Sequence, residues 1–226
     1  MMHRIAAALA ATALVTTSLA AQSNEKLCKD IADIHVGQWV EYQISNAPTA
    51  NAPQQMRMAV IGTDTSAGKS MYWIEMKMDA PQMGNVIIQE LVPDFPPDPQ
   101  SVQAVVMKRG NEPAVKLPEQ MLQMMRSRMP HNPTLSAAER CRSGKVIGWE
   151  TVTVPAGTFH ALHVQDTTST APNGGGDAWI AEGVPFGLVK ASGSGGGTIE
   201  LAAKGTDAKS SITETPQEMP MGGPGH

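Results

Sequence analysis

Polar and apolar residues alternate along much of this chain with the period of two that marks a half-buried β-strand. In Trp39-Val40-Glu41-Tyr42-Gln43-Ile44 the apolar phase is Val40, Tyr42 and Ile44. Met56, Met58 and Val60 share a face of the next segment, with Arg57 opposite. Residues 61–70 then read as a turn, on the strength of Gly62-Thr63-Asp64-Thr65-Ser66-Ala67-Gly68. The clearest alternation follows, with Tyr72, Ile74, Met76 and Met78 on one side and Trp73, Glu75, Lys77 and Asp79 on the other. It predicts one apolar face and one wet face. Val86 to Val92 and Val102 to Met107 are further strands, and the proline run Pro93-Asp94-Phe95-Pro96-Pro97-Asp98-Pro99 ends the first of them. Later strands are predicted over Val146–Val154, Thr158–Thr168, Asp177–Ala181, Leu188–Ser192 and Thr198–Lys204. Pro155-Ala156-Gly157 reads as a tight hairpin turn, and Asn173–Gly176 and Gly193–Gly197 as flexible ones.

The period lengthens at Pro118–Met129, which predicts the main helix. Pro118 suits the first helical position and Glu119 the dipole of the first turn. Met121, Leu122, Met124, Met125 and Met129 give it a broad apolar side, Arg126 and Arg128 sit near its end, and Pro130 and Pro133 stop it. A short helical turn is predicted at Ser136–Arg140. From Ser210 the chain turns to Thr, Glu, Pro, Met and Gly without a period, which predicts a disordered tail over 210–226.

The N-terminus changes the picture. Met1 to Arg4 is short and positive, Ile5 to Val15 is apolar, and small residues follow to Ser18-Leu19-Ala20. That order is the order of a secretory signal peptide, with cleavage expected after Ala20 or, failing that, Ala21; a buried N-terminal helix is the alternative. The apolar run is shorter than the roughly 20 residues of a membrane span. A lipid anchor would need a Cys directly after the cleavage site, whereas the first is Cys28. The expectation is a soluble periplasmic or secreted protein with residues 1–20 removed and one domain over 21–209. An oxidising compartment suggests a disulfide between Cys28 and Cys141, two free thiols being the alternative.

Composition supports one globular core: 226 residues, 41% hydrophobic and 17% charged. The net charge of −4 lacks the basic footprint of a nucleic-acid binder. It becomes −5 if residues 1–20, with Arg4, are removed.

Three stretches carry a resemblance. Gly148-Trp149-Glu150-Thr151-Val152-Thr153-Val154-Pro155-Ala156-Gly157-Thr158-Phe159 continues as His160-Ala161-Leu162-His163-Val164. Ala178-Trp179-Ile180-Ala181-Glu182-Gly183-Val184-Pro185-Phe186-Gly187-Leu188-Val189-Lys190 is the second, and His35-Val36-Gly37-Gln38-Trp39-Val40-Glu41-Tyr42 looks like an opening strand. Together they resemble a pattern of secreted bacterial proteins of unknown function with a fold similar to the lipoprotein carriers LolA and LolB. The resemblance implies a strongly curved antiparallel sheet, an incomplete barrel of mainly β (α+β) class, with helix against its concave face. It implies no catalytic residue.

The candidate chemistry is sparse. Gly62 to Ser70 is not a phosphate loop, because five residues rather than four separate Gly62 from Gly68-Lys69-Ser70 and strands flank it. His160 and His163 on a strand point to opposite faces, so they are poor co-ligands. No H-E-x-x-H or G-x-S-x-G occurs. The 15 Met are the strongest oddity. Thioethers suit a loosely shaped apolar cavity, and they are also soft ligands for Cu(I). The predicted concave lining is Tyr72, Ile74, Met76, Met78, Met121 and Met125. The function it suggests is non-enzymatic binding of a lipid, an acyl chain or another apolar small molecule, or a part in envelope maintenance, with no cofactor. A periplasmic Cu(I)-binding protein and an uncharacterised hydrolase are the alternatives.

Overall fold

The computed structural model describes residues 24–45, 54–65, 68, 70–80, 84–95, 99–128, 137–166, 175–193 and 196–219. The predicted signal segment and the extreme C-terminus lie outside the described residues. Among the described residues twelve strands form one curved, open sheet, consistent with an incomplete barrel. Five of them form a first meander: β1 (Trp39–Ser45), β2 (Gln54–Asp64), β3 (Met71–Ala80), β4 (Gly84–Val92) and β5 (Ala104–Arg109). The short β6 (Val115–Lys116) extends it. A second meander runs through β7 (Lys145–Val154), β8 (Gly157–Asp166), β9 (Gly176–Ile180), β10 (Leu188–Gly193) and β11 (Thr198–Gly205). β11 pairs antiparallel with β1 and joins the two halves. At the far edge β12 (Gln217–Glu218) lies parallel to β6, and β7 forms the other edge. Register shifts at Glu41/Tyr42, Val60/Gly62, Val146/Gly148 and Leu188/Lys190 bend the strands. Such bulges raise the local twist and let a broad sheet curl.

Three α-helical segments among the described residues serve the concave side: residues 24–30 (α1), Glu119–Arg128 (α2) and Ala137–Ser143 (α3). The disulfide expected from the sequence is formed. Cys28 of α1 and Cys141 of α3 are bonded, with Cα atoms 5.4 Å apart across 113 residues of chain. Leu27 and Cys28 of α1, Ile31 just after it, Leu122 of α2, and Ala137, Ala138 and Cys141 of α3 all join the core cluster. They pack with Val40, Tyr42, Val60, Ile74, Val105, Leu162, Val164, Ile180 and Leu201 from the sheet.

The hairpin turn forms as its residues dictate. Val154 pairs with Gly157, whose φ of 130° suits glycine, and Ala156 N–H donates to Leu201 O at 3.0 Å. Phe159 packs back against the core. The turn after β9 closes on α1. Gly187 has φ of 80°, and a Cβ there would meet Ile31 side-chain atoms at 2.8 Å. Beside it, Phe186 is held at φ 62°, a sparsely populated region for a non-glycine residue. Its ring lies 5.0 Å from that of Phe95, so a contact reaches from the end of β4 to the turn before β10.

Three expectations need correction. β2 continues to Asp64, so the predicted turn begins later than residue 61. The face of Trp73, Glu75, Lys77 and Asp79 is not wholly wet, because Glu75 is buried and Trp73 packs beside Ile87, Val106, Ala114 and Ile212. What covers that face is residues 210–219, the described part of the segment read as a disordered tail. Ile212 is buried, Gln217 N–H donates to Ala114 O at 2.8 Å, and Met219 N–H donates to Lys116 O at 3.1 Å. The composition lacked a period because this segment is held by side-chain and edge contacts. An apolar face of its own contributes little.

Candidate ligand-binding face

Strand register decides which side chains share the concave face. Val40 pairs with Met58, Met58 with Met76, Met76 with Ile88, and Ile88 with Met107. One step along the strands, Tyr42 pairs with Met56, Met56 with Met78, and Met78 with Val86. Paired residues point to the same side of a sheet, so these side chains form two adjacent rows. At one end of the face the residues are sealed: Val60, Ile74, Val92 and Val105 are buried under the helices and loops. Toward the other end Met56, Met58, Met76, Met78, Ile88 and Met107 are only half-buried. The result is a thioether-rich apolar surface on β2–β5, continuous with the core at one side and partly accessible at the other.

The predicted lining is divided by the structure. Tyr72, Ile74, Met76 and Met78 share the concave phase of β3, with Ile74 in the sealed part and the others half-buried. Met125 packs against the core cluster. Met121 does not, being 42% exposed, and Met124 is 52% exposed, whereas Leu122 is only 2% exposed. The helix turns Leu122 and Met125 inward, one face at a spacing of three, and leaves Met121 outside. Arg126 holds that orientation by donating through Nε to Val102 O at 2.9 Å and through a terminal nitrogen to Glu119 at 3.0 Å.

Sequence reasoning did not assign Met107, Ile88 or Glu90 to this face. The alternation of Val86, Ile88, Glu90 and Val92 carried the signal, because Val86 and Val92 fix the phase. Glu90 pairs with Ile74 on one side and Val105 on the other, so it stands in an apolar row. Burial pushes its carboxyl above the usual range. Deeper in the core, the Tyr42 hydroxyl donates to Leu188 O at 3.1 Å, and burial raises its pKa strongly.

The histidines sit apart from this face. His160 stacks on Trp149 at 5.2 Å and His163 on Trp179 at 4.5 Å. They are on opposite sides of β8, as their spacing of three requires. His163 lies between two carboxylates, Glu150 at 3.1 Å from Nδ1 and Asp177 at 2.8 Å from Nε2. Cross-strand neighbours extend the polar row to Lys190, which pairs with Glu200 at 2.8 Å. Among the described residues no hydroxyl or thiol is hydrogen-bonded to either His163 nitrogen, and no group of three or more His, Cys, Asp or Glu side chains could hold a metal.

A cleft of about 320 Å³ opens elsewhere, between α1 and the turn after β9, with Asp30, Asp33 and Glu182 on its rim. Lys26 pairs with Asp30 at 2.5 Å, and Lys204 donates to Gly183 O at 2.7 Å, so its charges are largely satisfied locally. It shares no lining with the methionine rows.

Comparison with known proteins adds little to this geometry. No family model matches the sequence, and no curated protein matches it. Among solved structures, a presumed lipoprotein from Parabacteroides distasonis ATCC 8503 is 14% identical with a TM-score of 0.38, covering 77% of this chain and 98% of its own. A presumed exported protein with a YmcC-like fold from Bacteroides fragilis NCTC 9343 is 11% identical with a TM-score of 0.38, covering 76% and 96%. MucB is 10% identical with a TM-score of 0.40, covering 85% of this chain and 61% of its own. At these values the likenesses decide nothing about function. Within the described residues, no helix is long and apolar enough to cross a membrane.

Proposed function

We propose that this is an exported, non-catalytic protein that holds an apolar small molecule, a lipid or an acyl chain, on the methionine rows of its concave face. The observation that carries this reading is the half-buried state of Met56, Met58, Met76, Met78, Ile88 and Met107 on four neighbouring strands. A contiguous apolar surface that stays accessible marks an interaction site more often than a packing fault. Flexible thioethers can follow the contour of a chain-like ligand. The Cys28–Cys141 bond supports an oxidising location such as the periplasm. A role in envelope maintenance would follow from holding lipid there. Native mass spectrometry of protein purified from its own envelope tests the reading: bound lipid is the expected result, and protein of bare mass overturns it.

A second reading rests on register. Met56 faces Met78 and Met58 faces Met76 directly across β2 and β3, which brings four thioethers into one patch. Thioethers select Cu(I) among common metals. Anaerobic titration with Cu(I) against a competing chelator tests this, and failure to take up the ion removes it.

A further inference from the structure

We infer that the ligand of the concave face is a cationic amphiphile, an amine-headed molecule whose positive end sits on Glu90 and whose apolar chain lies along the methionine rows. The inference rests on the apolar-ligand reading above and narrows its chemistry. Glu90 occupies the concave phase of β4, between Val92 and Ile88 along the strand. Across the ladder its neighbours are Ile74 and Val105, both buried. Tyr72, Met76 and Met107 are its diagonal neighbours by the same register. Every residue of that inner row except Glu90 is apolar or a tyrosine. No hydrogen bond or ion pair reaches its carboxylate among the described residues. The guanidinium on the helix that packs against β5, Arg126, is already engaged by Val102 O and Glu119.

An acid in such a place is costly unless something pairs with it. Elsewhere this chain pairs its buried carboxylate. Glu75, on the opposite face of β3, receives hydrogen bonds from Gln89 and from Ser211. Glu90 lacks an equivalent, and unlike Glu75 it stands beside the half-buried part of the face. A donor from outside the chain can therefore complete it. A protonated amine supplies charge and hydrogen bonds together, the strongest pairing for a carboxylate in apolar surroundings. From Glu90 to Val86 the strand advances about 13 Å, the length of an alkyl chain on the order of ten carbons. That distance runs past Ile88, Met76 and Met107 toward Met78, with the exposed Arg109 beside Val86 at its far end, so the head meets the acid and the chain the thioethers. A fatty acid lying the same way would place its carboxylate against Glu90; lying the other way, with its carboxylate toward Arg109, it would leave Glu90 against its apolar end, so either orientation is disfavoured.

Binding of decylamine, 1-decanol and decanoate to the purified protein, measured calorimetrically at neutral pH, tests the assignment. Decylamine, protonated at that pH, is expected to bind tenfold or more tighter than decanol, the scale of about one charge-assisted hydrogen bond. Decanoate is expected to bind most weakly. Glu90→Gln should bring decylamine to within about twofold of decanol and leave decanol itself unchanged, by loss of that single pairing. Glu112→Gln, an exposed acid on the turn after β5, should leave the amine preference intact and so exclude simple attraction to an acidic surface. Should Glu90→Gln fail to fold, Glu90→Met extends the thioether rows and serves the same comparison. Equal affinities for amine and alcohol, or a preference that survives at position 90, overturn the cationic assignment while the apolar-binding reading stands. Absence of binding by all three probes overturns both.

Discussion

The carboxylate of Glu75, which is 1% exposed, accepts the backbone N–H of Ser211 at 2.8 Å and its hydroxyl at 2.7 Å. A third donor, Gln89 Nε2, lies 2.8 Å away and also donates to Ser210 Oγ. This knot fastens the C-terminal segment across the convex face, where Ile212 completes a small apolar cluster with Ile87, Val106 and Ala114. Removing Glu75 leaves several buried donors without an acceptor. Glu75→Ala is expected to lower stability by about 2–4 kcal/mol, and Ser211→Ala by about 1–2 kcal/mol. Urea unfolding midpoints check both. A chain ending at Lys209 should bind more of a hydrophobic dye than the intact protein, because the convex cluster loses its cover.

That knot also shows why the sequence was legible only in part. The alternation of Tyr72, Ile74, Met76 and Met78 identified β3 and its apolar phase. The opposite phase contains Glu75, and hydropathy cannot tell a solvated carboxylate from one whose partners lie 136 residues away. β6 and β12 contain two residues each, too few for any period. On α2 the apolar arc from Met121 to Met125 is wider than the contact it makes. Its composition therefore identified the helix without settling that Met121 would face outward. Glu90 was readable from the phase of Val86, Ile88 and Val92. Its functional interest was not, since that depends on the absence of a partner.

The disulfide should matter most for the N-terminal segment. α1 and the turn after it contribute three buried side chains, Leu27, Cys28 and Ile31, and the covalent tie of α1 is to α3. Crosslinking a loop of 113 residues stabilises by about 4–5 kcal/mol when only unfolded-chain entropy is counted. Paired Cys28→Ser and Cys141→Ser substitutions are expected to cost up to about that much. Chemical denaturation with and without reductant should show the wild type falling to the mutant's stability when reduced.

The contact of Gly187 with Ile31 admits no side chain. A Cβ at 187 would meet three atoms of Ile31 between 2.8 and 2.9 Å while holding φ at 80°. Strain and overpacking each cost about 1–3 kcal/mol. Gly187→Ala is thus expected to lower the melting temperature, as Ile31→Ala does by emptying a core position, and the double variant should lose less than the sum of the two. A double-mutant cycle measures the coupling.

Glu90 predicts an unusual pH dependence. Burial raises its folded-state pKa above the unfolded value, so between the two values the native state binds more protons than the unfolded one. Its contribution to stability therefore falls as pH rises through that window, and its penalty is complete above the folded pKa. Glu90→Gln removes the penalty. The variant should melt higher than the wild type at neutral pH, and the difference should shrink as pH falls through that window and be gone below the ordinary glutamate range. Thermal melts of the pair across pH check this without any ligand, and other titrating groups cancel in the difference.

The division of the methionines gives the sharpest test of where an apolar ligand sits. Met76 and Met78 lie in the half-buried concave rows, while Met121 is 42% exposed on the outside of α2. A buried thioether side chain is worth about 1.5–3 kcal/mol of transfer free energy, and a ligand that covers part of one should sense about half of that. Met76→Gln and Met78→Gln are each expected to weaken binding of a decyl-chain probe by roughly three- to tenfold, following that estimate. Met121→Gln, the same change in an outward position, should leave affinity unchanged. If all three weaken binding alike, the ligand lies over the helix and not on the strands; if Met76→Gln and Met78→Gln have no effect, the concave rows are structural packing and the probe binds elsewhere.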